Sequence, residues 1–242
     1  MKLSVIFPVY NERATVREIL DRVLGFSMAG LEVEVLIVEG NSTDGTREII
    51  REYEKRPHVR VFYEERPRGK GAAVRTGLKH VRGDIVLIQD GDLEYKVEDY
   101  PKVLAPILEG KAEIVFGSRA MEVSTRWQYR KFGGCERFYG FFVNMGGVLF
   151  TGLFNFLYGT HLSDGATMFK VYRADLLKDL NLKSDGFDYD WEMQGKLAKR
   201  GHKFYETPIS YKARSREEGK KIVFWRDGIK VLLAILRYRF CD

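Results

Sequence analysis

The chain has 242 residues, 45% apolar and 31% charged, an ordinary globular balance that allows a sizeable core in one large domain. Its formal net charge of +6 is uneven: Met193 to Asp242 carries 13 Lys and Arg against 5 Asp and Glu, which points to an anionic partner or to a solvated basic face. Cys135 and Cys241 stand far apart, which excludes a disulfide framework and metal-ligand spacing and suits a reducing compartment.

The first 120 residues alternate strand-like and helix-like patterns. Leu3 to Val9 is a short apolar run that reads as a buried strand; containing Pro8 and no small-residue cleavage site, it does not read as a signal peptide. Asn11 is placed to cap a helix over roughly Ala14 to Gly25. Strands are then expected over Val33–Val38, Val59–Tyr63, Asp84–Gln89 and Glu113–Phe116. Between them fall a charged helix reaching Tyr53, a glycine-opened helix over Gly69–His80 and a helix over Val97–Leu108. Repeated β-α units of this length imply an α/β fold with a mostly parallel central sheet, Rossmann-like, and helices on both faces. Ligands then sit beyond the carboxyl ends of the strands.

Arg119 to Arg137 reads as loop. Phe138 to Thr160 contains no charged residue, and its length alone would let it span a bilayer. Its five glycines, two asparagines and scattered aromatics favour interfacial or partly buried helices over a lipid-facing span, with an ordinary core helix pair as the other reading. Asp164 to Arg173 is expected to turn into a strand, Phe187 to Arg200 to form a helix stopped at Gly201, Lys203 to Tyr211 to be strand-like and Ile222 to Phe240 to be helical. With no linker visible, 1–242 reads as one domain. Its first half is 1–120; its second, 121–242, holds the apolar stretch and the basic end.

Asp90-Gly91-Asp92 is the sharpest chemical signal. It follows the apolar strand, and residues two apart on an extended chain face the same side. Two such carboxylates suit a hard divalent cation that neutralises a diphosphate leaving group. Glu39 to Gly45 ends the second strand with acceptors fit for a base or ribose, or equally for a capped turn. Arg68-Gly69-Lys70-Gly71 looks like a glycine loop opening a helix toward an anion, without P-loop spacing. Asp188, Asp190 and Glu192 precede a helix and would serve either sugar hydroxyls or the helix dipole.

Taken in order, Phe7 to Glu12, Glu39 to Gly45, Arg68 to Leu78, Asp90 to Asp92, Gly117-Ser118-Arg119, Asp164 to Arg173, Phe187 to Arg200 and Pro208 to Arg214 resemble family 2 glycosyltransferases, in the dolichyl-phosphate mannose synthase and polyprenyl-phosphate glycosyltransferase branch. The resemblance implies a GT-A fold with C-terminal interfacial helices, inverting transfer and a Mg2+ or Mn2+ requirement, with 1–120 binding the nucleotide sugar and 121–242 the acceptor. It implies that Pro8, Tyr10, Glu12, Glu39, Lys70 and Gly91 bind the donor nucleotide, with Asp90 and Asp92 holding metal and diphosphate. Arg119, Arg137, Arg214, Lys220 and Lys221 would meet an acceptor phosphate, and Asp164 would orient the acceptor or stabilise charge at the sugar, or else cap a turn. The chain departs from the family at Glu39-Gly40, at Gly91 and at Thr167-Met168-Phe169-Lys170, which leaves sugar and base unassigned.

The expected activity is hexose transfer from a nucleotide diphosphate sugar, of GDP-mannose or UDP-glucose type, to a polyprenyl or dolichyl phosphate. The expected location is the cytoplasmic face of a membrane, held peripherally or through a membrane-protein partner. A phosphate monoester is already anionic near neutrality, so it needs arginines and a cation rather than a strong base. The rival readings are transfer to a sugar or protein hydroxyl and a non-catalytic sugar-nucleotide binder; no motif supports nucleic-acid binding.

Overall fold

The structure, a computed structural model, describes residues 1–121, 136–214 and 224–241, with side chains in its two long helices described from 140 and from 225. Seven strands make one sheet: β1 (Lys2–Val9), β2 (Glu32–Glu39), β3 (Val59–Tyr63), β4 (Ile85–Ile88), β5 (Ile114–Ser118), β6 (Lys170–Arg173) and β7 (Tyr205–Pro208). Their order is β3-β2-β1-β4-β6-β5-β7. The first four run parallel, β6 is antiparallel to β4 and β5, and β7 is parallel to β5. Reversed β6 brings the segment before Lys170 to the edge where β1, β2, β4 and β5 end, so five chain segments converge there.

Period-two alternation divides the buried sheet between two cores. Leu3, Val5, Phe7 and Val9 of β1 face one cluster, covered by α1 (Val16–Gly25) and α4 (Tyr100–Leu108). Ile6, Leu36 and Val86 face the other, covered by α3 (Lys70–Leu78), α5 (Glu136–Tyr158), α6 (Tyr189–Lys199) and α7 (Phe224–Phe240). The short α2 (Thr46–Arg51) follows β2.

Two local expectations are corrected. Asn11 does not cap α1; with φ at 49°, it turns its Oδ1 to the Thr43 amide, while the Glu12 carbonyl accepts from Thr15 and Val16. The uncharged stretch is one continuous helix, not a pair. Among the described residues, Gly140–Tyr158 is the only helix long and apolar enough to cross a membrane, a test that a core helix also passes, and 28% of it is buried. Residues 122–135 of the expected loop lie outside the described residues.

Candidate active site

Beyond β4 the chain enters the Asp90–Asp92 turn. A Cβ on Gly91 would come within 3.1 Å of Val9 and 3.5 Å of Glu12, so only a very small residue lets the two acids sit this close to β1. Thr15 Oγ1 donates to the Gly91 carbonyl at 2.8 Å and ties the turn to α1. Asp90 pairs with Lys70, on the first turn of α3. Asp92 is buried; its Oδ1 accepts from the Glu94 amide and its Oδ2 from Arg214 Nη2 at 2.7 Å. The same guanidinium donates to both Glu12 oxygens at 2.7 and 3.2 Å, and the Arg214 amide donates to Glu94 at 2.8 Å. Glu94 also accepts from the Tyr211 hydroxyl.

Four carboxylates, Glu12, Asp90, Asp92 and Glu94, thus face two cations, Lys70 and Arg214. The surplus of negative charge in a partly buried oxygen-rich site suits a divalent cation. Among the described residues no group of three His, Cys, Asp or Glu side chains is arranged to hold a metal unaided. A Mg2+-type ion bound by one or two carboxylates and completed by phosphate oxygens and water needs no third protein ligand. Asp90 and Asp92 are the residues that would hold it.

Burial, followed by the charges of Asp90 and Glu94, pushes the Asp92 carboxyl up to about 7, against the pull of Arg214. Between roughly pH 4 and 7 native Asp92 therefore keeps a proton that the unfolded chain has lost. Its contribution to stability is full below that window and falls as pH rises through it. We expect Asp92→Asn to gain about 2 kcal/mol relative to the metal-free wild type between pH 5 and 7. Urea unfolding at the two pH values measures this, and parallel profiles contradict it.

Pro8, Tyr10, Glu12, Lys70, Asp90, Gly91, Asp92 and Arg214 line one cavity of 330 Å³. Glu64, Arg68, Met168, Phe187 and Arg226 line it too, and no sequence signal marked Glu64, Met168, Phe187 or Arg226. A larger hollow of 690 Å³ lies at the opposite end of the sheet, beside Lys79, Arg82 and Arg173. Its lining, with Asp84 and Asp175, is away from the strands' carboxyl ends, so the smaller cavity is the candidate site.

Other expected residues stand apart from the cavity. Glu39 is fully buried, and its carboxylate takes the amides of Asn41 and Ser42 and the Arg47 side chain; Gly40 forms the cavity wall instead. Arg119 and Asp164 close on each other in the interior. Asp164 accepts from the Arg119 amide at 3.1 Å, from Nε at 2.7 Å and from Nη2 at 2.8 Å. Arg119 also reaches the Tyr95 hydroxyl and stacks over the Tyr211 ring. Glu206 holds the Ser163 and Asp164 amides from below. This pair joins the end of β5 to the loop before β6.

The glycine loop has a packing cause. A Cβ on Gly69 or Gly71 would collide with the carbonyls of Asp185 and Ser184, and the Ala72 amide donates to Asp185. Of the acidic cluster, which falls at the start of α6, Asp190 is buried against Lys170 and Glu192 takes the Lys183 and Ser184 amides. Burial raises the Asp190 carboxyl and lowers the Lys170 ammonium. The Arg137 side chain, Lys220 and Lys221 lie outside the described residues.

The model of glycosyl transferase family 2 matches residues 4–180. The chain belongs to family 2 of the glycosyltransferases. Glycosyltransferase AglJ of Haloferax volcanii is 30% identical over 238 residues, covering 97% of this chain and 71% of the relative. Dolichol-phosphate mannosyltransferase of Pyrococcus furiosus is 30% identical over 224 residues, covering 91% of this chain and 59% of the relative, so this family member spans about three fifths of that protein. Glucosyl-3-phosphoglycerate synthase from Mycobacterium tuberculosis, solved with Mn2+, UDP and phosphoglyceric acid, superposes with a TM-score of 0.70 at 18% identity, covering all of this chain and 79% of that one. That likeness shows the GT-A fold for this family 2 chain.

Proposed function

We propose that this protein transfers a hexose from a nucleotide diphosphate sugar to a polyprenyl phosphate at the cytoplasmic face of a membrane. The observation that carries the reading is the Asp90–Asp92 turn facing Lys70 and Arg214 across one cavity. A divalent cation on the two aspartates, Mg2+ or Mn2+, supplies charge for the departing diphosphate. Pro8, Tyr10 and Gly40 shape the nucleoside end, and Lys70 sits where it can meet phosphate oxygens. Among the described residues no His lines the cavity, Asp164 is committed to Arg119, and the lining carboxylates are each held by a cation or a backbone amide, which favours an acceptor that needs no general base. A phosphate monoester needs none; it needs cations to orient it for in-line attack with inversion at the anomeric carbon.

Arg214 is the inner of those cations. We expect Arg214→Ala to lower kcat/KM for the acceptor about a hundredfold and to weaken donor binding much less. Incorporation of labelled sugar into an organic-extractable product measures the first and calorimetry with the sugar nucleotide the second. Equal losses count against the acceptor role, and the absence of extractable product with any sugar nucleotide counts against the function itself.

The membrane part rests on α7. Trp225, Ile229, Leu232, Leu233, Leu236 and Phe240 are exposed and recur along one helical face, Trp225 being 77% exposed. Phe141, Leu149 and Phe156 stand out likewise from α5, Phe156 being 84% exposed. Apolar faces beside Arg226 and Arg237 suit an anionic lipid surface. Flotation with acidic liposomes at low salt is expected for the wild type and lost in Leu233→Glu/Leu236→Glu. Flotation of both would contradict this, and flotation of neither would hand the face to a membrane-protein partner.

A further inference from the structure

Among the described residues, every cation that lines the cavity has an acid partner, but the partners differ in place. Arg68 pairs with Glu64, Lys70 with Asp90, and Arg214 with Glu12 and Asp92; all of these acids line the cavity themselves. Arg226 differs. It reaches the cavity from the first turn of α7, its side chain is 63% exposed, and its partner is its own neighbour Asp227, which is not part of the lining. Its guanidinium is therefore the positive charge presented at the mouth rather than spent within. It also follows Trp225, the first residue of the exposed apolar face of α7.

We infer that Arg226 is a binding residue for the acceptor's phosphate monoester, which it receives at the cavity mouth and passes toward Arg214. The inference rests on the phosphate-acceptor reading above and adds to it the residue that couples the apolar helix to the reaction site. A planar guanidinium offers two parallel donors to a phosphate, and an exchange of Asp227 for the doubly charged monoester keeps it paired throughout. An alkyl tail leaving that phosphate lies at the start of the Trp225–Phe240 face, so one helix would hold both ends of an amphipathic acceptor.

The test uses the whole protein, a water-soluble short-chain prenyl phosphate and no vesicles, so that general attraction to a charged surface plays no part. A parallel arm replaces the prenyl phosphate with methyl phosphate, a phosphate monoester with neither an apolar tail nor an alcohol group. With the prenyl acceptor, Arg226→Ala is expected to raise KM about tenfold, with kcat and the donor KM within about twofold of the wild type. Arg226→Glu is expected to raise it further, and Arg226→Lys to recover part of the loss as a point charge. A prenyl phosphate KM unchanged in both the Ala and Glu variants, or an equal rise in donor and acceptor KM, overturns the assignment alone. Transfer by the wild type to methyl phosphate but not to prenyl phosphate overturns the place given to the tail. A wild type that transfers to neither overturns the phosphate-acceptor reading and this inference with it.

Discussion

Asp92→Asn is expected to lower turnover roughly 10³-fold while leaving the protein folded. The amide matches the carboxylate in shape, and its oxygen still accepts the Glu94 amide that shapes the turn. What it removes is the negative charge that faces Arg214 and that would grip the cation. The loss falls in the transition state, where the diphosphate gathers charge, so kcat falls with kcat/KM. Because burial already disfavours the Asp92 charge, the substitution does not destabilise the metal-free protein near neutral pH. Turnover with Mn2+, read beside circular dichroism, separates the two effects. Turnover near the wild-type value removes Asp92 from the reaction, and a collapsed fold makes its role structural.

Asp164→Ala is expected to cost stability rather than chemistry, by roughly 3–5 kcal/mol. It deletes three hydrogen bonds that Arg119 makes and strips a buried guanidinium of its countercharge. The pair seals the end of β5 against the loop that leads into β6, across 45 positions of chain. Replacing both partners, as Asp164→Leu with Arg119→Met, is expected to recover much of the loss, since a well-packed apolar pair needs no countercharge. Urea unfolding of the two single variants and the double variant measures the coupling. A cost below about 1 kcal/mol for Asp164→Ala would mean that the ion pair is solvated in the native protein, and the case for assigning Asp164 to catalysis would revive.

The strands before residue 120 were legible because each buries an apolar run between short turns; the bounds of β3 fall where the pattern places them, at Val59 and Tyr63. The Asp90-Gly91-Asp92 turn stood out as a candidate because its two acids directly follow a buried strand. The same local reasoning failed where a side chain's partner lies far along the chain. Nothing near Arg119 tells that Asp164 closes on it, and nothing near Gly69 tells that the Asp185 carbonyl presses on it. Glu39 stood at the right strand end for a ligand, yet it spends its carboxylate on two amides and Arg47, whose approach depends on how α2 packs. The reversal of β6 was equally hidden, since a four-residue strand, Lys-Val-Tyr-Arg, reads alike in either direction. Arg226 entered the site unannounced because a basic residue at helical spacing looks like any solvated face until the helix is placed.

The most direct test of the central claim is the anomalous signal of manganese in crystals soaked with a sugar nucleotide and Mn2+. One peak is expected about 2.2 Å from carboxylate oxygens of Asp90 or Asp92 and from the nucleotide's diphosphate, with the Arg214 guanidinium drawn off Asp92. A bound nucleotide with no manganese peak at either aspartate would contradict the claim.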